Sequence, residues 1–321
     1  MMNQSINKTV EQIAAVLKQS EKPFLILTHT HPDADTLGSA SALAQILKKC
    51  GKKAKVLTGN VPARYMFLDK NKVFVKESKE DCFIISVDIA SPKLLGDFET
   101  EYSDKINLTI DHHMGNNIEC EYKLLMSDRV ACGEIIYELM IALGVDLDSE
   151  IAEALYAAIV SDSGGFKYSS VRPQTHIIAA QLIEQRIDFA EINRLLFDMK
   201  TKEQFTISKL AYTLLEFFSD EKIALIGFND EMLKEHNIVE TEFSDVAQLP
   251  RQLEGVEVGI LIRPDSNGGY KLSLRSNKFV NVAEICNIFG GGGHYHAAGC
   301  NISGSLEDVK SVIVKEVEKR F

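Results

Sequence analysis

Apolar residues recur along this chain in two alternating rhythms. Short runs rich in apolar residues, FLILT (24–28), KAKVLT (53–58), CFIISVD (82–88) and INLTID (106–111), predict strands. Between and after them, apolar positions three and four apart predict helices: TLGSASALAQILKKC (36–50), GEIIYELMIAL (133–143) and EIAEALYAAIVSDS (150–163). This alternation predicts an α/β fold, a mainly parallel sheet with helices on both faces. Residues 174–218 read as consecutive helices, QTHIIAAQLIEQ, FAEINRLLFDM and EQFTISKLAYTLLEFF. IALIGFN and VEVGILIRP then read as strands, SNGG (266–269) as a hairpin turn and YKLSLRS as the returning strand. NVAEICNIF reads as a short helix that runs into four glycines, and the first 19 residues as an amphipathic helix. The expected organisation is a catalytic domain over 1–190, a helical connector over 191–218 and a smaller α/β domain over 219–321.

Composition narrows the function classes. No apolar run approaches the ~20 residues of a membrane span. The N-terminal segment lacks the apolar core and cleavage site of a signal peptide. A cytoplasmic protein with no membrane partner is expected. The net charge of −11 disfavours long duplex nucleic acid, whose binding depends on many Lys and Arg contacts to phosphate. Small anionic substrates stay open, because bound cations or a local positive pocket can reverse the field. The six cysteines show no C-x-x-C spacing, which disfavours a zinc ribbon. Cys82 and Cys286, in apolar contexts, read as small core residues.

Residues able to ligate metal crowd into four segments. THTHPDAD supplies His29, Asp33 and Asp35, with Pro32 keeping the loop extended. Asp88 closes the strand CFIISVD, Asp111-His112-His113 closes INLTID, and Asp162 lies in IVSDSGGF. Three of the four stand at the carboxyl ends of predicted parallel strands, where α/β sheets place their chemistry. A lone Asp after a strand is more often a turn or cap residue. Four such segments in order, at one sheet edge, outweigh that reading. Carboxylates with a minority of imidazoles suit Mn²⁺ or Mg²⁺.

These segments resemble the four motifs of the DHH phosphoesterase superfamily, which includes RecJ-type nucleases and family II inorganic pyrophosphatases. THTHPDADTLGSA is similar to motif I, SVDIAS to motif II, IDHHMGN to motif III and IVSDSGGF to motif IV. FGGGGHYHAAGC resembles the DHHA1 signature. The arrangement is most similar to stand-alone bacterial oligoribonucleases that also dephosphorylate 3′-phosphoadenosine 5′-phosphate (pAp). A departure is Cys132 in ACGE, where those relatives more often carry Ser or Thr. The resemblance implies two divalent ions, Mn²⁺ first and Mg²⁺ second. His29, Asp33 and Asp88 would hold one, and Asp35, Asp88, His112 and Asp162 the other. It casts Asp111 as the carboxylate that fixes a histidine tautomer, and leaves His113 free to contact the scissile phosphate or to donate a proton to the leaving group. His31 matches no ligand position and reads as a loop histidine.

Four aspartates roughly cancel two divalent charges, so phosphate needs further donors. Gly291, Gly292, Gly293 and His294, with Arg275 from YKLSLRS, are the candidates. The bland reading of the glycines is a helix C-cap. No G-K-[ST] follows, so this is not a Walker loop. The implied activity is cleavage of short single-stranded oligonucleotides to mononucleotides, with dephosphorylation of pAp. The alternative is a phosphodiesterase for cyclic di-AMP or its linear dinucleotide pApA. A pyrophosphatase is disfavoured by the GGGGH segment, and a non-catalytic nucleotide sensor by the full ligand set. A homodimer is left open.

Overall fold

A computed structural model describes residues 7–238, 243, 246–265 and 268–321. The chain divides between Met199 and Lys200 into two compact units. The first carries β1 (Phe24–Leu27), β2 (Ala54–Leu57), β3 (Phe74–Val75), β4 (Phe83–Val87), β5 (Leu108–Asp111) and β6 (Tyr122–Leu125). All neighbours pair in parallel, in the order β3-β2-β1-β4-β5-β6. The order reverses between β1 and β4. At such a switch point the loops leaving two adjacent strands part to opposite sides and open a crevice beyond the carboxyl ends.

The apolar runs follow from burial on both faces. Phe24 and Ile26 face a core shared with α1 (Val10–Gln19), α2 (Ala34–Lys49), α4 (Cys132–Leu143), α5 (Ser149–Asp162) and α6 (Pro173–Glu184). Leu25 and Leu27 face a smaller core with Leu95, Tyr102 and Ile118, covered by α3 (Glu99–Tyr102) and short 3₁₀ turns. Helix α2 is buried from Ala34 to Leu47. Its polar side chains are satisfied inside: Ser39 donates to Asp35 at 3.0 Å and Ser41 to the Leu68 carbonyl at 2.6 Å. Along the outer edge of β6, the Asn7 side chain donates to the Leu125 carbonyl (2.9 Å) and accepts from the Leu125 N–H (2.8 Å).

The second unit holds α8 (Lys202–Thr213), β7 (Leu215–Phe218), β8 (Ile223–Gly227), α9 (Asp230–Glu235), β9 (Val258–Pro264), β10 (Tyr270–Ser276), α10 (Val282–Ile288), β11 (Gly292–His294), β12 (Ala297–Ile302) and α11 (Leu306–Glu318). Its sheet is mixed, in the order β11-β12-β10-β9-β8-β7, with only β8 and β9 parallel. One face packs on α10 and α11, the other on α8 and 3₁₀ turns.

Several sequence expectations shift. The helix expected to run to Phe218 stops at Thr213. The LEFF tail becomes β7, paired with β8 through a turn in which Ser219, Asp220 and Glu221 all have positive φ. Strands β11 and β12 went unread because their Gly and Ala content carries little strand signal. Helix α2 starts at Ala34, two residues earlier than expected, with Asp33 as its N-cap. The 191–218 segment, expected as a connector, divides between the two cores. Ile192 of α7 (Phe189–Asn193) joins the first, and Ile207 and Ala211 of α8 the second. Half of the expected hairpin turn, Ser266 and Asn267, lies outside the described residues, as do 1–6 of the expected first helix. Cys286 is buried as expected, but Cys82 is only half-buried, and all six cysteines are free.

Because α2 carries Asp33 at its cap and Asp35 in its first turn, its packing is a direct test of the fold. Leu43, with no exposed surface, fills the core against the sheet. Leu43→Ala should cost about 2–5 kcal/mol of stability, read from urea unfolding followed by the first unit's signal.

Candidate functional site

Each element delivers its ligand-type residue through a local backbone device. The loop after β1 carries His29. Asp33 caps α2 by accepting the Thr36 N–H at 3.0 Å, which holds its carboxylate at the helix start beside His29 (Nε2–Oδ1, 3.7 Å). Asp35, in the first turn of α2, is fully buried and accepts the N–H groups of Cys132 (2.7 Å) and Gly133 (3.0 Å). Those are the first residues of α4, so the positive end of its dipole faces the carboxylate. Cys132 therefore acts here through its backbone, and a hydroxyl at that position is not required for this contact. Asp88 follows β4 in the left-handed region, φ 60°, and its N–H donates to the Ile110 carbonyl at 3.0 Å. Such a conformation is uncommon outside glycine and is held by its surroundings. Asp162 is the last residue of α5.

Asp111 ends β5 and organises the loop beyond it. Oδ1 accepts the N–H of His112 (2.8 Å) and of His113 (3.2 Å) and lies 2.7 Å from His113 Nδ1. Oδ2 accepts from Asn116 at 2.7 Å. The Nδ1 of His112 lies 3.3 Å from the Arg129 carbonyl, which directs Nε2 into the crevice. There it stands 3.3 Å from Asp162, 3.5 Å from Asp88 and 3.8 Å from Asp35. Three overlapping groups result, each with one potential ligand atom per residue and all atoms within 4.8 Å: His29-Asp33-Asp88, Asp35-His112-Asp162 and Asp88-Asp111-His112-His113. All eight sequence candidates of the first unit thus come together. His31 is exposed and belongs to none of these groups. Asn116, the Arg129 carbonyl and the α4 N–H groups were missed. Asn116 could have been suspected from IDHHMGN, but a backbone donor leaves no mark in the sequence.

The electrostatics ask for a cation. Burial first, then the charges of Asp88 and Asp162, push the Asp35 carboxyl well above its usual range. Burial likewise raises Asp88 to about 6. Burial works against a proton on His112, but Asp162 and Asp88 outweigh it and hold the ring up to about 11. His113 is raised by its bond to Asp111, and His29, despite burial, by Asp33. Asp88 Oδ1 and His112 Nε2 are buried and have no hydrogen-bond partner among the described residues. Orphaned acceptors amid clustered acids, with oxygen donors in the majority, fit one or more hard divalent ions.

In the second unit, Arg275 is half-buried on β10 and His294 is exposed on β11. Of the glycines, Gly292 and Gly293 pair with β12 as strand residues. Gly291 is enforced by packing, since a Cβ there would stand 2.2 Å from the Gly299 carbonyl oxygen.

Residues 23–159 match the DHH family, N-terminal domain, and residues 221–321 match the DHHA1 domain. The two matches take in most of the chain, which belongs to the DHH family and carries the DHHA1 domain with it. It is 28% identical over 297 residues to the bifunctional oligoribonuclease and PAP phosphatase NrnA of Thermus thermophilus, covering 91% of this chain and 88% of that one. It is 23% identical over 285 residues to the protein of the same name from Bacillus subtilis, covering 87% and 89%. Among solved structures, it superposes with a TM-score of 0.86 on an exopolyphosphatase-related protein from Bacteroides fragilis, at 20% identity over 99% and 98% of the two chains. The exonuclease RecJ bound to manganese gives 0.54, at 14% identity over 99% and 96%. These two likenesses concern the fold. No helix among the described residues is long and apolar enough to cross a membrane.

The three histidines set a pH dependence for the cation-free protein. Each has its folded pKa raised above the unfolded value of about 6.5. Their stabilisation is complete below about pH 6.5 and is lost as pH rises, through about 11 for His112. In chelator the melting temperature should therefore fall from pH 6.5 to 9. Added Mn²⁺ should reverse that slope, because metal competes with protons for the same atoms. A flat profile in chelator would contradict the assignment.

Proposed function

We propose that this chain is a two-metal phosphoesterase that degrades short oligonucleotides to mononucleotides and dephosphorylates pAp. The chain is a hydrolase of phosphoester bonds by family, and relatives at 28% and 23% identity are described as carrying both activities. The observation that carries the reading is Asp88. Its carboxylate belongs to two of the three ligand groups, one with His29 and Asp33 and one with His112, and one of its oxygens is buried without a hydrogen bond. A carboxylate so placed suits a bridging position between two ions. His29, Asp33 and Asp88 would hold one ion. Asp35, Asp88, His112 and Asp162 would hold the other, with Mn²⁺ or Mg²⁺ as the species. When bound, such a pair lowers the pKa of a water and neutralises charge on the phosphoryl oxygens.

The chain's own groups supply the rest. Asp111 grips His113 Nδ1 at 2.7 Å and fixes the ring, leaving Nε2 for the substrate. The bond to Asp111 raises the pKa of His113 and so favours its protonated form, which suits donation of a proton to the leaving oxygen. Cys132 and Gly133 N–H groups hold Asp35 in place. Arg275 and His294 serve as hydrogen-bond donors to phosphate on the DHHA1 domain, while the Gly291 N–H is committed to the Cys286 carbonyl at 2.9 Å and Gly292 and Gly293 are paired with β12.

Turnover of pAp, pApA, cyclic di-AMP and RNAs of graded length with Mn²⁺ tests the reading. Dinucleotides, short RNA and pAp should be hydrolysed, and long strands poorly. Cleavage of cyclic di-AMP alone would assign a different substrate. Asp88→Asn should lose activity together with metal, measured by plasma emission. His113→Ala should retain metal while slowing turnover by ~10²–10⁴-fold, and His112→Ala should lose metal. Equal metal loss in both histidine variants would overturn the division of roles.

A further inference from the structure

Strand register aligns one rank of residues across the second sheet. His294 on β11 pairs with Ala297 on β12, Ala297 with Arg275 on β10, and Arg275 with Gly259 on β9. Directly paired residues project to the same face. His294 and Arg275 therefore stand on one face with only a methyl between them. Gly259 continues the rank without a side chain, and Arg251 takes up that space. A Cβ on Gly259 would lie 2.7 Å from the Arg251 nitrogen and 3.1 Å from the Arg251 Cβ. Arg251 thus lies over the same face, beside Arg275. Asn277, two residues past Arg275, fixes it there by donating to the carbonyls of Arg251 and Val256, both at 2.8 Å.

The charges around this rank are unbalanced. Arg275 donates to the Leu274 carbonyl at 2.9 Å, and neither Arg275 nor Arg251 pairs with a carboxylate among the described residues. Glu257, just before β9, is turned to backbone: its Oε1 accepts the N–H groups of Lys278, Phe279 and Val280 at 3.1, 2.7 and 2.9 Å. Burial and the neighbouring charge of Arg251 both lower the pKa of Arg275. Two guanidinium groups held close in a chain of net charge −11 carry a repulsion that a dianion would relieve.

We propose that Arg251 is a specificity-determining partner of Arg275, and that the two guanidinium groups with His294 bind the terminal phosphomonoester dianion of the substrate. The identity of that substrate rests on the phosphoesterase reading above; the anion site itself does not. A dinucleotide with a terminal phosphate engages both arginines, and the same dinucleotide ending in a hydroxyl does not.

The test uses the full chain with Arg251→Ala and Arg251→Lys. Their backbone contacts to Gly259 and Asn277 do not involve the guanidinium, so folding should be kept, which a thermal melt checks. Arg251→Ala should raise KM for a 5′-phosphorylated dinucleotide about tenfold, the scale of one charge-assisted contact. The KM for its 5′-hydroxyl counterpart should stay within about twofold, with metal content unchanged, and Arg251→Lys should recover part of the loss. Equal effects on the two substrates, or none on either, would overturn the proposal. If the wild-type chain hydrolyses neither dinucleotide, the phosphoesterase reading fails, and pAp binding by calorimetry in chelator still decides this one. Weaker binding by Arg251→Ala than by wild type supports the anion site, and equal binding rejects it.

Discussion

Four aspartates gathered at one sheet edge repel one another, and the first unit is built around tolerating that repulsion. Bringing Asp33, Asp35, Asp88 and Asp162 to one crevice costs electrostatic energy that grows as water is excluded. Each device at the sheet edge offsets part of it. The first turn of α4 presents two N–H groups to Asp35. His112 is oriented by the Arg129 carbonyl so that its other nitrogen meets three carboxylates. Asp111 is set apart, fully engaged with His113 and Asn116, and so serves as support for the loop. The remaining imbalance is what gives the cluster its appetite for divalent cations.

The second unit solves a complementary problem, collecting positive charge. It uses strand register instead of loop chemistry. Ala297 on one side of Arg275 leaves the face open, and Gly259 on the other makes room for a covering turn. The 3₁₀ turn Pro250–Gln252 lies across the sheet at the one place where a glycine lets its backbone settle. Acidic residues are absorbed locally, as Glu257 is by three backbone N–H groups.

Much of this was legible in the sequence, for a physical reason. Strands buried on both faces must be apolar throughout, so β1, β4 and β5 announced themselves, and the polar residue ending each run marked the sheet edge. That placed His29, Asp88 and Asp111 before any coordinates. The start of α2 was read late because Asp33 looks like a loop residue, while in the structure it caps the helix and faces the crevice at once. Strand β7 was hidden because LLEFF continues the apolar spacing of the helix before it. Strands β11 and β12 were hidden because glycine and alanine satisfy a sheet through packing instead of propensity. Arg251 gave no signal at all: its place beside Arg275 arises from a pairing register and a missing side chain, neither of which a linear reading contains.

The amide of Asn7 has a further consequence. Beside a parallel backbone bridge from Asn7 to Lys123, it donates to and accepts from Leu125 and so imitates one further residue of a seventh strand. The outer rim of β6 is thereby denied to an incoming chain at that point, while the opposite rim, β3, offers only two residues. An open parallel sheet with free rims is a template for cross-chain pairing. Here both rims are poor templates, so self-association through continuation of this sheet is disfavoured.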